Sequence, residues 1–165
     1  MFRKPICDGV HSYTKEGAFA VPNSKDFDLT NPIVVVRLMA GLFYVPHVLF
    51  KITGFAGSLT AFGNMGFQPP LFWVSLAILT ELICAVGLTF NLYTRYVGLM
   101  SAGTMALAAY GTFATKGVHW MWNFGGIEYI AFWGIASVAL AVHAWKAAVK
   151  AEKGAARLTV ATVHA

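Results

Sequence analysis

Charge is what this sequence has least of: 12% of its 165 residues are Asp, Glu, Lys or Arg, against 58% hydrophobic. From Leu29 to Trp145 the only charged residues are Arg37, Lys51, Glu81, Arg95, Lys116 and Glu128. That is too few to clothe a water-facing surface of such length, which excludes an ordinary soluble globule. Cysteine is scarce too: Cys7 in polar surroundings and Cys84 inside an apolar run stand in different environments, and no disulfide between them is expected. No CxxC, haem CxxCH, Walker loop, dinucleotide fingerprint or zinc spacing occurs, so neither an intrinsic cofactor nor a metal site is expected. Cys7, Asp8 and His11 lie close in sequence, but nothing in their spacing favours a metal. The first thirty residues lack a continuous apolar core and carry Lys15, Glu16, Lys25, Asp26 and Asp28. No signal peptide is therefore expected, and the first apolar span serves as the insertion signal.

What the sequence has in abundance is apolar runs long enough for lipid. A helix needs about 20 mostly apolar residues to cross a hydrocarbon layer of about 30 Å, and four such runs fit. The first spans about Pro32 to Thr53, with Asn31 as N-cap and Pro32 at the first helical position. The second runs from Leu71 to Thr89, the third from Tyr96 to Ala114, and the fourth from about Gly126 to His143. "GFAGSLTAFGNMGFQPP" between the first two is too apolar for a solvated loop and predicts an interfacial half-turn or re-entrant segment. Trp120 and Trp122 in the second long loop suit the headgroup level. The fold class expected is all-α, an integral membrane four-helix bundle. Residues 1–31 form a polar, mostly unstructured leader, 32–145 the four-span domain, and 146–165 a basic tail.

The net charge of +5 comes from the chain ends rather than from a folded face, which argues for membrane orientation and against nucleic acid. With both termini cytoplasmic, the inner side holds Arg3, Lys4, Lys15, Lys25, Arg95, Lys146, Lys150, Lys153 and Arg157, against Lys51 and Lys116 outside. That asymmetry sets the expected topology.

Ionisable groups within spans are costly in lipid and should face the bundle interior. Arg37, Gly41, Tyr44 and Lys51 share an arc of roughly 80°, with His47 on its shoulder. Glu81, near the middle of the second span, needs a cation, and Arg37 is the expected partner, forming a buried polar pair. Lys51 and His47 lie near the outer end of the first span at a depth similar to Glu128, which predicts a second, outer cluster. Each residue also has a structural reading: Arg37 with Glu81 as a register-fixing pair, Lys51, Arg95 and Lys116 as interfacial anchors, and His47 as a helix-to-helix donor. Glu128 suits the helix N-terminus by its dipole, and Cys84 reads as packing. His119 has no second metal ligand at i+3 or i+4.

"RLMAGLFYVPHVLFK", the loop ending in "GFQPP", "ELICAVGLTFNLYTR" and "GGIEY" together resemble the DoxX family over about residues 33 to 145. The resemblance implies a multi-pass protein of the bacterial inner membrane, working near the quinone pool. The family takes its name from a membrane component of thiosulfate:quinone oxidoreductase, although its breadth means that thiosulfate chemistry is not implied. Arg37, His47, Lys51, Glu81, Arg95 and Glu128 are the polar residues at matching motif positions, without assigned roles.

Two functions fit. In the first, the chain is a membrane subunit of a quinone-linked oxidoreductase, its partner subunit carrying the electrons. Tyr44, His47, Lys51, Glu128 and Trp122 then form a quinone or proton site, with Phe43 helping to sandwich the ring. In the second, it is a non-catalytic scaffold or small-solute carrier whose buried charges only fix helix register.

Overall fold

The computed structural model describes residues 22–163, with side chains placed through residue 157. Cys7, Asp8 and His11, and most of the leader, lie outside the described residues. Six α-helices follow in order: α1 (Pro32–Leu42), α2 (Tyr44–Thr53), α3 (Phe55–Asn64), α4 (Pro70–Thr89), α5 (Thr94–Lys116) and α6 (Glu128–Val163). Four stretches are long and apolar enough to cross a membrane: 32–53, 70–89, 94–116 and 128–157. These are the four spans expected. In none of them is more than 33% of the apolar window buried. Phe50, Phe132 and Ile135 are each at least 70% exposed, the pattern of a bundle whose outer surface is solvated by lipid.

The first span starts where Asn31 accepts a hydrogen bond from Ile33 N–H at 3.0 Å, with Pro32 at its first turn. It breaks at Phe43, because Pro46 has no N–H to offer the Leu42 carbonyl and its ring crowds that oxygen. Gly54 separates α2 from α3. The loop expected as an interfacial half-turn is thus a full ten-residue helix, Phe55–Asn64, packed on α4.

α4 packs against α1, α2, α3 and α5, while α6 packs on α5 and closes the bundle against α1. Small residues set these approaches. A Cβ on Gly41 of α1 would lie 2.6 Å from Thr89 Oγ1 and 2.7 Å from Thr89 N, and one on Gly98 of α5 would lie 2.8 Å from the Ser137 carbonyl of α6. The core gathers Ala40, Tyr44, Cys84, Leu88, Met105 and Trp133 from all four spans. Cys84 is a packing residue there, as its sequence setting suggested.

The leader ends in more order than its composition predicts. Ser24–Phe27 form a 3-10 turn capped by Asn23, whose backbone N–H in turn donates to Asp26 at 2.8 Å. Thr30 then donates its hydroxyl and backbone N–H to Asp28, holding that carboxyl below its usual range. At the other end, the basic tail is helical: α6 continues unbroken past Trp145 to Val163.

Candidate functional site

Glu81 does not pair with Arg37. Its carboxylate receives Lys51 Nζ at 2.8 and 2.9 Å, with the Glu81 side chain buried and the Lys51 side chain 13% exposed. The reason is register. Gly41 lies against Thr89, and the two helices run antiparallel, so counting eight residues up α1–α2 and down α4 brings about residue 49 level with Glu81. Lys51 is then a neighbour, whereas Arg37 lies some twelve residues away, roughly 18 Å at 1.5 Å per residue. Side-chain direction adds to this. Helical side chains lean toward their own N-terminus, so Lys51 and Glu81 lean toward each other while Arg37 leans away.

Arg37, 3% exposed, instead donates to the main-chain carbonyls of Leu88, Thr89 and Asp26. α4 ends in a Schellman arrangement, with Asn91 left-handed at φ 57° and Leu92 N–H bonding the Gly87 carbonyl at 2.7 Å. The guanidinium takes up further terminal carbonyls and places a cation at the negative end of the helix dipole. Asn91 Nδ2 also donates to the Asp26 carboxylate at 2.7 Å, and Phe27 meets Phe90 edge-on at 6.3 Å. Arg37 therefore ties leader, α1 and α4 together as a structural residue.

Of the expected outer cluster of Lys51, His47 and Glu128, Lys51 keeps a 3.5 Å contact with the His47 carbonyl, but its charge is committed to Glu81. His47 lies against Trp133, ring centroids 5.7 Å apart. Trp133 is a residue that sequence reasoning missed, and it is the hub of the site. Phe43, Tyr44 and Tyr129 also meet it, at 6.3, 4.7 and 5.6 Å. Trp133 is 5% exposed, and its Nε1 has no hydrogen-bond partner among the described residues. His47, Phe43 and Tyr129 around it are exposed on the bundle's outer face.

Two features adjoin this hub. On the inner side, fully buried Tyr44 shares a 2.7 Å hydrogen bond with Ser101 Oγ, which shares another of 2.7 Å with Ser137 Oγ. A hydroxyl chain thus links α2, α5 and α6. On the other side, Tyr129 lines an open cleft of about 740 Å³ together with Trp122, Glu128 and Phe132. The "GGIEY" segment builds the cleft floor. Gly125 is left-handed at φ 74°, and a Cβ on Gly126 would fall 2.3 Å from the Trp120 backbone, so the loop folds tightly back before Glu128 N–H bonds the Trp120 carbonyl at 3.0 Å. Tyr44, His47, Trp122 and Glu128 are thereby brought into one neighbourhood through Tyr129 and Trp133, while Lys51 serves Glu81. Ser101 and Ser137 were legible only as small residues; their signal is the helical spacing of Gly98 with Ser101 and of Gly134 with Ser137 and Ala141.

The remaining candidates are accounted for locally. Arg95 stacks over Tyr96 at 4.7 Å and Trp145 at 5.9 Å, as an interfacial cation would. His119 belongs to the exposed loop, and among the described residues no three His, Cys, Asp or Glu side chains stand close enough to hold a metal ion.

Comparison with known proteins agrees with this architecture. A protein named "Putative oxidoreductase CatD" from Bacillus subtilis (strain 168) is 33% identical over 82 residues, which cover 50% of this chain and 58% of that protein. The chain thus spans somewhat over half the length of this curated relative. No solved structure matches. The sequence model of the DoxX family matches residues 33–120, more than half of the chain, and the chain belongs to the DoxX family, as a multi-pass membrane protein.

Proposed function

We propose that this chain is the membrane subunit of a quinone-linked oxidoreductase in a bacterial inner membrane, with both termini in the cytoplasm, as the lysine and arginine distribution favours. The observation that carries the reading is the continuity between the Trp122–Glu128–Tyr129–Phe132 cleft and the Trp133 cluster, where a buried indole N–H lacks a partner. The name of the Bacillus relative supports redox work in general terms.

The residues present fit a quinone head. A cleft of this size is in the usual range for small ligands, and its aromatic walls suit a flat ring. Trp122, Tyr129 and Phe132 would hold the ring, and His47, exposed beside Trp133, would donate to a carbonyl oxygen. Glu128 would hold a proton at the mouth of the cleft. The bound quinone would accept electrons delivered by a partner subunit. Tyr44, Ser101 and Ser137 keep the inner side of the site rigid and hydrogen-bonded, and the Lys51–Glu81 pair locks α2 against α4 beneath it.

A test uses the purified chain in nanodiscs with a short-chain quinone analogue. The expected result is saturable quenching of tryptophan fluorescence, weakened about tenfold or more in His47→Ala and Trp133→Phe, and partner-linked quinone reduction lost in Glu128→Gln. Absence of saturable binding together with unchanged partner activity in His47→Ala would overturn the proposal. The scaffold reading is favoured by one observation: Arg37, Lys51 and Glu81 are all satisfied within the fold. It predicts that variants of these three alter assembly and leave turnover per assembled complex unchanged.

A further inference from the structure

α6 is longer than a bilayer requires. Counting about 20 residues from Glu128 brings the helix across the hydrocarbon layer near residue 148, so its remaining turns stand in the headgroup layer and beyond. Lys146, Lys150, Lys153 and Arg157 follow one another at i, i+4, i+7 and i+11. At 100° per residue they occupy an arc of roughly 60°. All four are exposed, and among the described residues the ion pair that forms, Lys51–Glu81, involves none of them. Glu152, the carboxylate of this stretch, falls on a different face, roughly 100° from the nearest cation of the stripe. Four like charges at helical spacing repel one another unless a counter-charge lies along them.

Beside the stripe the same helix presents Val142, Trp145 and Val149, and an open recess of about 710 Å³ is lined by these three and the four cations together. Trp145 is further packed edge-on against Tyr96 at 5.8 Å, which fixes the apolar ledge at the end of the α5–α6 pair. The chemistry on offer is thus a rigid apolar shelf at acyl-chain depth and a ladder of cations continuing into the headgroup layer. A zwitterionic lipid leaves that ladder uncompensated, and a soluble anion leaves the shelf bare.

We propose that this face of α6 is a binding site for anionic phospholipid, the acyl chains lying on Val142, Trp145 and Val149 and the phosphates spanning Lys146, Lys150, Lys153 and Arg157. Each cation near an anionic membrane surface contributes about fivefold to partitioning, so the four together outweigh thermal exchange with neutral lipid. The site is independent of the quinone reading and lies at the end of α6 away from the Glu128 cleft.

The test is native mass spectrometry of the full chain in detergent, titrated with phosphatidylglycerol or with phosphatidylcholine of the same acyl chains. The expected result is preferential retention of phosphatidylglycerol, reduced at least tenfold when Lys146, Lys150, Lys153 and Arg157 are all changed to Gln. Retention should persist when the three lysines are changed to Arg and in the opposite-end control Lys116→Gln. Equal retention of the two lipids, an equal loss in Lys116→Gln, or unchanged retention in the fourfold variant each overturns the proposal. So does a dimer that forms with the wild-type chain and disappears in the fourfold variant without a change in lipid retention, because the face would then be a self-interface.

Discussion

Lys51 on α2 and Glu81 on α4 form a two-point ion pair, Nζ lying 2.8 Å from one carboxylate oxygen and 2.9 Å from the other. The pair sits between two spans of opposite direction, so it reports helix register as well as charge balance. Lipid gives neither group an alternative partner, and the bond joins segments separated by thirty positions of sequence.

Removing one partner should therefore be worse than removing both. Lys51→Met or Glu81→Leu alone leaves an uncompensated buried charge and is expected to cost about 3 to 5 kcal/mol. The double variant should recover most of that loss. Denaturation of the detergent-solubilised protein measures both, and a double variant as unstable as the sum of the singles would remove the pair from the account.

Arg37 is expected to resist even conservative replacement. Its planar fork reaches carbonyls of Leu88, Thr89 and Asp26 at once, and an ammonium group cannot reproduce that geometry. Arg37→Lys should cost about 1.5 to 3 kcal/mol, the range for hydrogen bonds to a charged group. It should also raise hydrogen exchange in residues 23–30, which the guanidinium holds against α4. A variant with unaltered protection there would show that the leader docks without it.

Close helix approach gives a contrast between two glycines. Gly41→Val drives a side chain into Thr89, where even a Cβ comes within 2.6 Å, and is expected to cost about 1 to 3 kcal/mol or to prevent folding. Gly57→Ala on α3 meets nothing within 4 Å and should be neutral or slightly stabilising through the unfolded chain. Thermal stability and folded yield of the two proteins, purified side by side, decide the matter.

The spans were legible because lipid leaves hydropathy and length little freedom, and the Asn31–Pro32 start because its chemistry is local. The partner of Glu81 was not, since it depends on how far α1 slides along α4. That offset is set by Gly41 against Thr89, a contact between positions 48 apart, and no helical wheel contains it. The wheel did place Arg37 and Lys51 on one inward face; it could not say which of them lies level with Glu81. Trp133 was passed over for a related reason: an apolar-looking aromatic in an apolar run gives no signal until Phe43, Tyr44, His47 and Tyr129 converge on it. The helical tail was hidden by its polar composition, although its alanines and lysines are good helix formers.

Tyr44, Ser101 and Ser137 should behave as one unit. Tyr44→Phe removes the terminal hydroxyl of the chain and leaves Ser101 still bonded to Ser137, so a loss of about 0.5 to 1.5 kcal/mol is expected. Ser101→Ala takes out the middle, breaking both 2.7 Å bonds and leaving the fully buried phenol only its longer, 3.4 Å contact with the main-chain carbonyl of residue 101, with an expected cost of about 1 to 3 kcal/mol. Ser137 has a local alternative, since a helical serine can bond the carbonyl four residues back; Ser137→Ala should accordingly be the mildest of the three. Once the Ser101 hydroxyl is gone, the Tyr44 hydroxyl keeps only that longer contact, so deleting it as well adds little, and the double variant Tyr44→Phe, Ser101→Ala should lose less than the sum of the two single variants. Equilibrium unfolding of the four proteins in one detergent tests this, and strictly additive losses would mean that the three hydroxyls are not coupled.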